Sequence, residues 1–169
     1  MNAAALLKPT DDSLCALYFM ECIQCVFVAR QSGIILKINL TNQSLEIALK
    51  FPQSPRKFCI SLDLVKLALL TETSELQVYD INGLLTKNSA NKNLKEVQET
   101  KKVFEHKDVW DVLWASDDPD MFAFVEKTRL RVVKNGVMGC IFVKNTIMSS
   151  LLFRGSDCFF WISCVFIEF

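Results

Sequence analysis

The stretch that decides the fold is residues 59–81, which read CISLDLVKLALLTETSELQVYDI. Three apolar runs, at 59–61, 66–71 and 76–81, are separated by short polar turns. In the last run Leu76 and Val78 alternate with Gln77 and Tyr79, which is the period of a β-strand. The stretch therefore predicts a strand, a short polar turn, a strand, a tight turn and a closing strand.

The same plan occurs twice more, at 15–40 and at 109–133. The closing strands start at positions 35, 76 and 130, spacings of 41 and 54 residues, and the first spacing is typical of a propeller blade. We therefore predict an all-β fold, a partial WD40-type β-propeller of about three blades. The predicted strands are Cys15 to Phe19, Cys25 to Arg30, Ile34 to Asn39, Ser44 to Leu49, Lys57 to Ser61, Lys66 to Thr71, Leu76 to Ile81, Val109 to Trp114, Met121 to Glu126 and Arg129 to Lys134.

The longer spacing contains a polar linker at 87–102, KNSANKNLKEVQETKK. Only Ala90, Leu94 and Val97 are apolar there, so we expect an exposed, mobile and dispensable loop between blades. The predicted organisation is blades over residues 1–133, including this loop, followed by a divergent apolar C-terminal segment at 134–169.

Composition favours a protein partner. The chain is 51% hydrophobic and 22% charged, enough for a core, and its 19 basic residues balance its 19 acidic ones. This balance predicts no attraction to nucleic acid or an anionic membrane. The N-terminal apolar run, Ala3 to Leu7, is too short for a signal peptide, so we expect a cytoplasmic protein with mostly reduced, buried cysteines.

Two motifs raise the question of metal or redox chemistry. Cys22-Ile23-Gln24-Cys25 has the spacing of a redox or zinc pair, but zinc needs four ligands and the sequence contains no second such pair. Two buried strand cysteines explain the motif equally well, so we do not assign it a functional role. His106 is the only histidine, and its polar neighbours favour an exposed or capping role. We assign no catalytic, cofactor-binding or metal-binding residue and expect no cofactor.

Two further groups have alternative interpretations. Asp117, Asp118 and Asp120 lack the glycine and glutamate of a calcium loop and, with Pro119 among them, read as turn formers. Trp110 and Trp114, four residues apart, would share a strand face, as blade core rather than as a partner anchor. The nucleotide-binding and hydrolase motifs are missing, so we expect no enzyme, and the partner-contacting residues stay unknown.

The C-terminal run at 158–169, CFFWISCVFIEF, is twelve residues long, too short for a spanning helix. It favours a buried strand, with a membrane-associated tail as the alternative. No integral membrane span is expected.

Several segments resemble a known family. Val78-Tyr79-Asp80 resembles the tryptophan-aspartate ending of a WD repeat, with tyrosine for tryptophan. The segments KDVWDVLWA at 107–115, DPDMFA at 118–123 and EKTR at 126–129 resemble the second propeller of a WD-repeat subunit of intraflagellar transport complex A. The resemblance covers roughly residues 25–133.

This resemblance implies a non-enzymatic scaffold for ciliary protein transport and cilium assembly. Its implied partners are other intraflagellar transport A subunits and ciliary cargo, and its implied location is the cytoplasm, the cilium and the ciliary base. The chain departs from the family in having about three blades and no helical repeats. The alternatives are a propeller of another vesicle-coat-like protein and a membrane-associated protein held by its apolar tail.

Overall fold

The computed structural model describes residues 12–85, 101–127, 129–142, 147–153 and 160–165. Within these ranges the chain forms three four-stranded antiparallel sheets and one two-stranded sheet. Sheet A contains β1 (Leu14–Met20), β2 (Cys25–Arg30), β3 (Ile34–Asn39) and β4 (Ser44–Lys50); sheet B contains β5 (Pro55–Ile60), β6 (Lys66–Thr71), β7 (Leu76–Asp80) and β8 (Lys102–His106); sheet C contains β9 (Asp111–Trp114), β10 (Met121–Val125), β11 (Arg129–Lys134) and β12 (Val137–Phe142); the last sheet pairs β13 (Ile147–Phe153) with β14 (Phe160–Val165). A 3-10 helix, Glu21–Ile23, joins β1 to β2.

Each four-stranded sheet is a meander in which every strand pairs with the next along the chain. The predicted all-β class and the three blade-like units are confirmed. The predicted repeat lacked one strand in two of the three sheets, however. The fourth strand of sheet B, β8, and the fourth strand of sheet C, β12, were not predicted. The predicted boundary at residue 133 therefore falls inside sheet C, where Val133 of β11 pairs with Met138 of β12.

The three sheets stack face to face, with their first strands β1, β5 and β9 next to one another. One apolar cluster lies between sheets A and B and includes Phe27, Phe51 and Phe58. A second cluster lies between sheets B and C and includes Trp114 and Phe124. Because sheet B is covered on both sides, its inner strand β6 is apolar and buried from Leu67 to Leu70.

Strand β7 shows this division of faces most clearly. Leu76 and Val78 belong to the cluster between sheets B and C, whereas Tyr79 belongs to the cluster between sheets A and B. The alternation predicted from the sequence is thus confirmed. Gln77 is buried on the same side of β7 as Tyr79, and its side-chain oxygen accepts a hydrogen bond from the Tyr79 hydroxyl at 2.5 Å.

Two hairpins depend on positive backbone angles. Gly33, in the predicted turn between β2 and β3, has φ +82°, and a Cβ there would lie 2.1 Å from the carbonyl oxygen of Phe51. Between β11 and β12, Asn135 and Gly136 both have positive φ, as a two-residue hairpin requires. Gly136 has open space around it.

The predicted linker at 87–102 and the C-terminal run are described only in part. Residues 86–100 lie outside the described ranges, and Lys102 already belongs to β8. In the run at 158–169, residues 160–165 form β14, which pairs with β13, so a strand is confirmed there. Among the described residues, no helix is long and apolar enough to cross a bilayer.

Candidate protein-interaction surface

Polar contacts fix sheet C against sheet B. On β5, the Lys57 ammonium lies 2.6 Å from the carboxylate of Asp111 on β9. The neighbouring Arg56 guanidinium donates to the carbonyl oxygens of Trp110 at 2.7 Å and Val109 at 3.3 Å. These contacts join the first strands of two sheets, so they set the angle between them as well as their separation.

His106 takes part in a second contact between the same sheets. Its Nε2 lies 2.7 Å from Oε1 of Glu126, which also accepts a hydrogen bond from Nε of Arg131 at 3.0 Å. Burial by itself raises the pKa of Glu126, but the hydrogen bonds from Arg131 and His106 outweigh it and hold that pKa below its usual value. The histidine predicted to be exposed or capping is instead half-buried and joins two blades.

The Cys22 to Cys25 motif does not form a paired site. Cys25 is buried at the start of β2, whereas Cys22 is exposed in the 3-10 helix, so the prediction of two buried strand cysteines is wrong for Cys22. Elsewhere, burial raises the pKa of Cys59 to about 12, which keeps that thiol protonated. In the part of the chain that the structure describes, no three histidine, cysteine, aspartate or glutamate side chains are grouped as a metal site requires.

The aspartates predicted to form a turn lie in the β9–β10 connection. Asp118 accepts a hydrogen bond from the backbone N–H of Asp120 at 3.0 Å and forms an ion pair with Lys134 at 3.0 Å. Asp120 in turn forms an ion pair with Lys66 of sheet B. The turn prediction is confirmed, and one of these carboxylates also bridges two blades.

The two tryptophans that were predicted to lie together in the core have different environments. Trp114 is buried between sheets B and C and donates its indole N–H to the carbonyl oxygen of Pro119 at 2.8 Å. Trp110 precedes β9 and is exposed, so its assignment to the core is wrong. The break in the strand pattern arises at Asp108, whose positive φ turns the chain before β9 begins.

A groove of about 550 Å³ opens where the three first strands end. We call it the axial groove. Its walls come from the end of β1 and the following turn, from the end of β5 with Leu62, and from the end of β9 with Ala115. Phe19 and Leu62 in its lining are 48% and 41% exposed, and among the described residues Glu21 is the one charged residue that lines it.

Carboxylates dominate the loops around the axial groove. Glu21 and Asp63 are exposed in the β1–β2 and β5–β6 connections, and Asp117, Asp118 and Asp120 lie in the β9–β10 connection. Among the ion pairs of the described residues, Asp120 contacts Lys66 and Asp118 contacts Lys134. The groove is therefore an apolar depression with an acidic rim.

A second apolar surface is the face of sheet A that points away from sheet B, which we call the outer face. Cross-strand pairing places two apolar rows on it, namely Leu17–Val28–Leu36–Ile47 and Phe19–Val26–Ile38–Leu45. Val28 and Leu36 in these rows are buried, whereas Leu17 and Phe19 on the first strand are exposed. The corresponding first-strand positions are Phe58 and Ile60 in sheet B and Val112 and Trp114 in sheet C, all buried by the preceding sheet.

Sequence reasoning identified neither surface. The groove brings together residues from three repeats that are about 40 and 50 positions apart, and its signal is their common location just at and after the first strand of each repeat. For the outer face the signal is the alternation of Leu17 and Phe19 in β1. Both signals become visible only when the repeats are aligned with one another.

Consecutive four-stranded antiparallel meanders, stacked with their first strands together, define the class of the WD-repeat β-propellers, here as a partial, open propeller. The model of the WDR35 second beta-propeller family matches residues 1–139, and the chain belongs to that family.

Curated relatives agree with the family match. WD repeat-containing protein 35 of Homo sapiens is 33% identical over 141 residues, covering 80% of this chain and 11% of the human protein. The Rattus norvegicus protein of the same name is 32% identical over 135 residues, 76% of this chain and 10% of its own length. The chain thus spans about a tenth of the length of these relatives. The family match does not favour the vesicle-coat or membrane-tail alternatives.

Proposed function

We propose that this chain is a non-enzymatic protein-interaction scaffold that acts in ciliary protein transport as part of, or beside, intraflagellar transport complex A. The observation that carries the proposal is its membership of the WDR35 second beta-propeller family over residues 1–139. The sequence resemblance to a WD-repeat subunit of intraflagellar transport complex A at 107–129 supports the ciliary role. The cytoplasm, cilium and ciliary base are the proposed locations.

The surfaces of the molecule support binding rather than turnover. A propeller presents loops and strand ends on a rigid disc, so affinity comes from contacts spread over its surface. The axial groove and the outer face both expose apolar side chains, such as Leu62 and Leu17, that a partner would bury. Proteins, including other intraflagellar transport A subunits and ciliary cargo, are the proposed partners.

The test is co-purification from ciliated cells. The tagged 169-residue chain is expected to co-purify with other intraflagellar transport A subunits and to concentrate at the ciliary base. As a matched control, the same tag on a Gly33→Val chain should recover none, because Val at position 33 would place a side chain against the Phe51 carbonyl. Absence of those subunits from the parent purification, at normal expression and solubility, would overturn the ciliary assignment.

A further inference from the structure

The axial groove combines an apolar floor with a one-sided charge. Phe19 of β1, Leu113 of β9 and Leu62, which lies just after β5, all line the same depression. A side chain inserted there would remove apolar surface from water on both partners, the main favourable term in protein association. The volume, about 550 Å³, is within the usual range of small binding clefts and matches one or two large side chains rather than a whole domain.

The charge of the rim selects among apolar partners. Glu21 and Asp63 are exposed beside the groove, and among the ion pairs of the described residues the two further carboxylates Asp118 and Asp120 each contact one lysine, which leaves the rim a formal excess of two negative charges. Asp63 is held in place because its Oδ1 accepts hydrogen bonds from the Ser61 hydroxyl at 2.6 Å and the Val65 N–H at 3.1 Å. An acidic segment would be repelled by such a rim, and a basic one attracted.

We propose that the axial groove binds a short segment of a partner protein in which a phenylalanine or leucine is flanked by lysine or arginine. The apolar side chain enters between the ends of β1, β5 and β9, and the flanking cations lie over Glu21 and Asp63. This inference rests on the proposed scaffold function and adds to it the chemistry of one partner segment.

The test uses the full chain tethered at low density on a sensor surface, which separates the molecules from one another. The probe is a seven-residue peptide that carries one phenylalanine and one leucine flanked by lysines, and the comparison peptide has glutamates in place of the lysines. The lysine peptide is expected to bind and the glutamate peptide not to bind. Because salt screens surface charges, raising the ionic strength from about 0.05 M to about 1 M should weaken the lysine peptide markedly.

Two variants and one control separate the apolar and the electrostatic contributions to binding. Leu62→Ser removes an apolar contact and should weaken binding by about three- to fivefold, whereas Val103→Ser, at a position 46% exposed on the distant strand β8, should leave it unchanged. The near-isosteric pair Glu21→Gln with Asp63→Asn should weaken binding by about two- to tenfold at low salt and have no effect at high salt. Circular dichroism and thermal melting establish that each variant is folded.

Three outcomes would overturn the inference. One is equal binding of the lysine and glutamate peptides to the unaltered chain, which needs no variant to interpret. Another is full retention of binding in folded Leu62→Ser. The third is loss of binding in Leu17→Lys, which alters only the outer face, together with retention in Leu62→Ser. A chain that co-purifies with ciliary transport subunits yet shows no lysine preference would keep the proposed function and lose this inference.

Discussion

The outer face of sheet A is expected to drive self-association of the isolated 169-residue chain. Leu17 is 68% exposed and Phe19 48% exposed, whereas the corresponding residues of the next sheet, Phe58 and Ile60, are buried. The outer face is apolar, as a surface between two blades is, and Leu17 and Phe19 are flanked by the other apolar side chains of its two rows. Replacing both residues, as Leu17→Lys with Phe19→Lys, should disperse the chain.

The magnitude follows from the exposed fractions. Fully burying a leucine or phenylalanine side chain is worth about 1.5–3 kcal/mol, so the exposed parts of Leu17 and Phe19 together offer roughly 2–3 kcal/mol on association. At about 1.4 kcal/mol per factor of ten, their loss weakens self-association by roughly 30- to 150-fold. The folded chain itself should lose less than about 0.5 kcal/mol, since neither side chain is in the core.

Sedimentation velocity across a concentration series measures the effect on self-association. The parent should shift to larger species as its concentration rises. The double variant should do so only at concentrations roughly 30- to 150-fold higher, the factor by which its self-association is weakened. The control is Val103→Lys, on strand β8 of sheet B and about as exposed as Phe19, which should behave as the parent. A parent that stays a single monomer throughout, or a double variant that assembles as the parent does, would refute the reasoning.

Three further predictions concern stability. Gly33→Ala should cost more than about 2 kcal/mol in chemical denaturation, because its Cβ meets the Phe51 carbonyl, whereas Gly136→Ala, also at positive φ but in open space, should cost only about 1 kcal/mol; equal losses would contradict this account. The lowered pKa of Glu126 contributes stability that is fully present above the usual pKa of 4.5 and is lost as pH falls through the folded-state pKa. The difference in denaturation midpoint between the parent and Glu126→Gln should therefore narrow from about pH 7 to about pH 3. A difference that stays constant over this range would contradict the stabilising role of the Glu126 carboxylate. Replacing residues 87–100 with a Gly-Ser loop half as long should change the free energy of unfolding by less than about 1 kcal/mol, and loss of the cooperative transition would show that this segment contributes to the fold.

Four inner strands were predicted to the residue, whereas two outer strands, β8 and β12, were missed. The predicted bounds of β2, β3, β6 and β11 agree with the structure to the residue, because long apolar runs between turn residues leave few alternatives. Strand β8 was not predicted because it is an outer strand of sheet B and carries charged residues such as Lys102 and Glu105, as edge strands commonly do. Its hydrophobic signal rests on Val103 and Phe104 alone.

Strand β12 was missed although a local signal was present. Asn135-Gly136 is the dipeptide most typical of a two-residue hairpin, and it follows directly on the predicted strand that ends at Lys134. Applied there, the rule would have extended sheet C beyond residue 133. The contact of His106 with Glu126 had no comparable signal, because it depends on how sheets B and C are oriented, and residue spacing alone carries no such information.

The candidate interaction surface is only as rigid as the joints between the blades, because the axial groove takes its walls from three sheets. Between sheets A and B the joint is mainly apolar, with Tyr18 donating its hydroxyl to the Ile60 carbonyl at 3.1 Å right beside the groove. Between sheets B and C, the Lys57–Asp111 pair and the two Arg56 hydrogen bonds add directional contacts to the apolar cluster. Directional contacts restrict sliding and rotation that apolar packing by itself permits.

A groove held in this way loses little entropy when a partner binds, so its modest size is compatible with useful affinity. We therefore expect the residues that join the blades to affect partner binding without touching the partner, through the geometry of the stacked sheets.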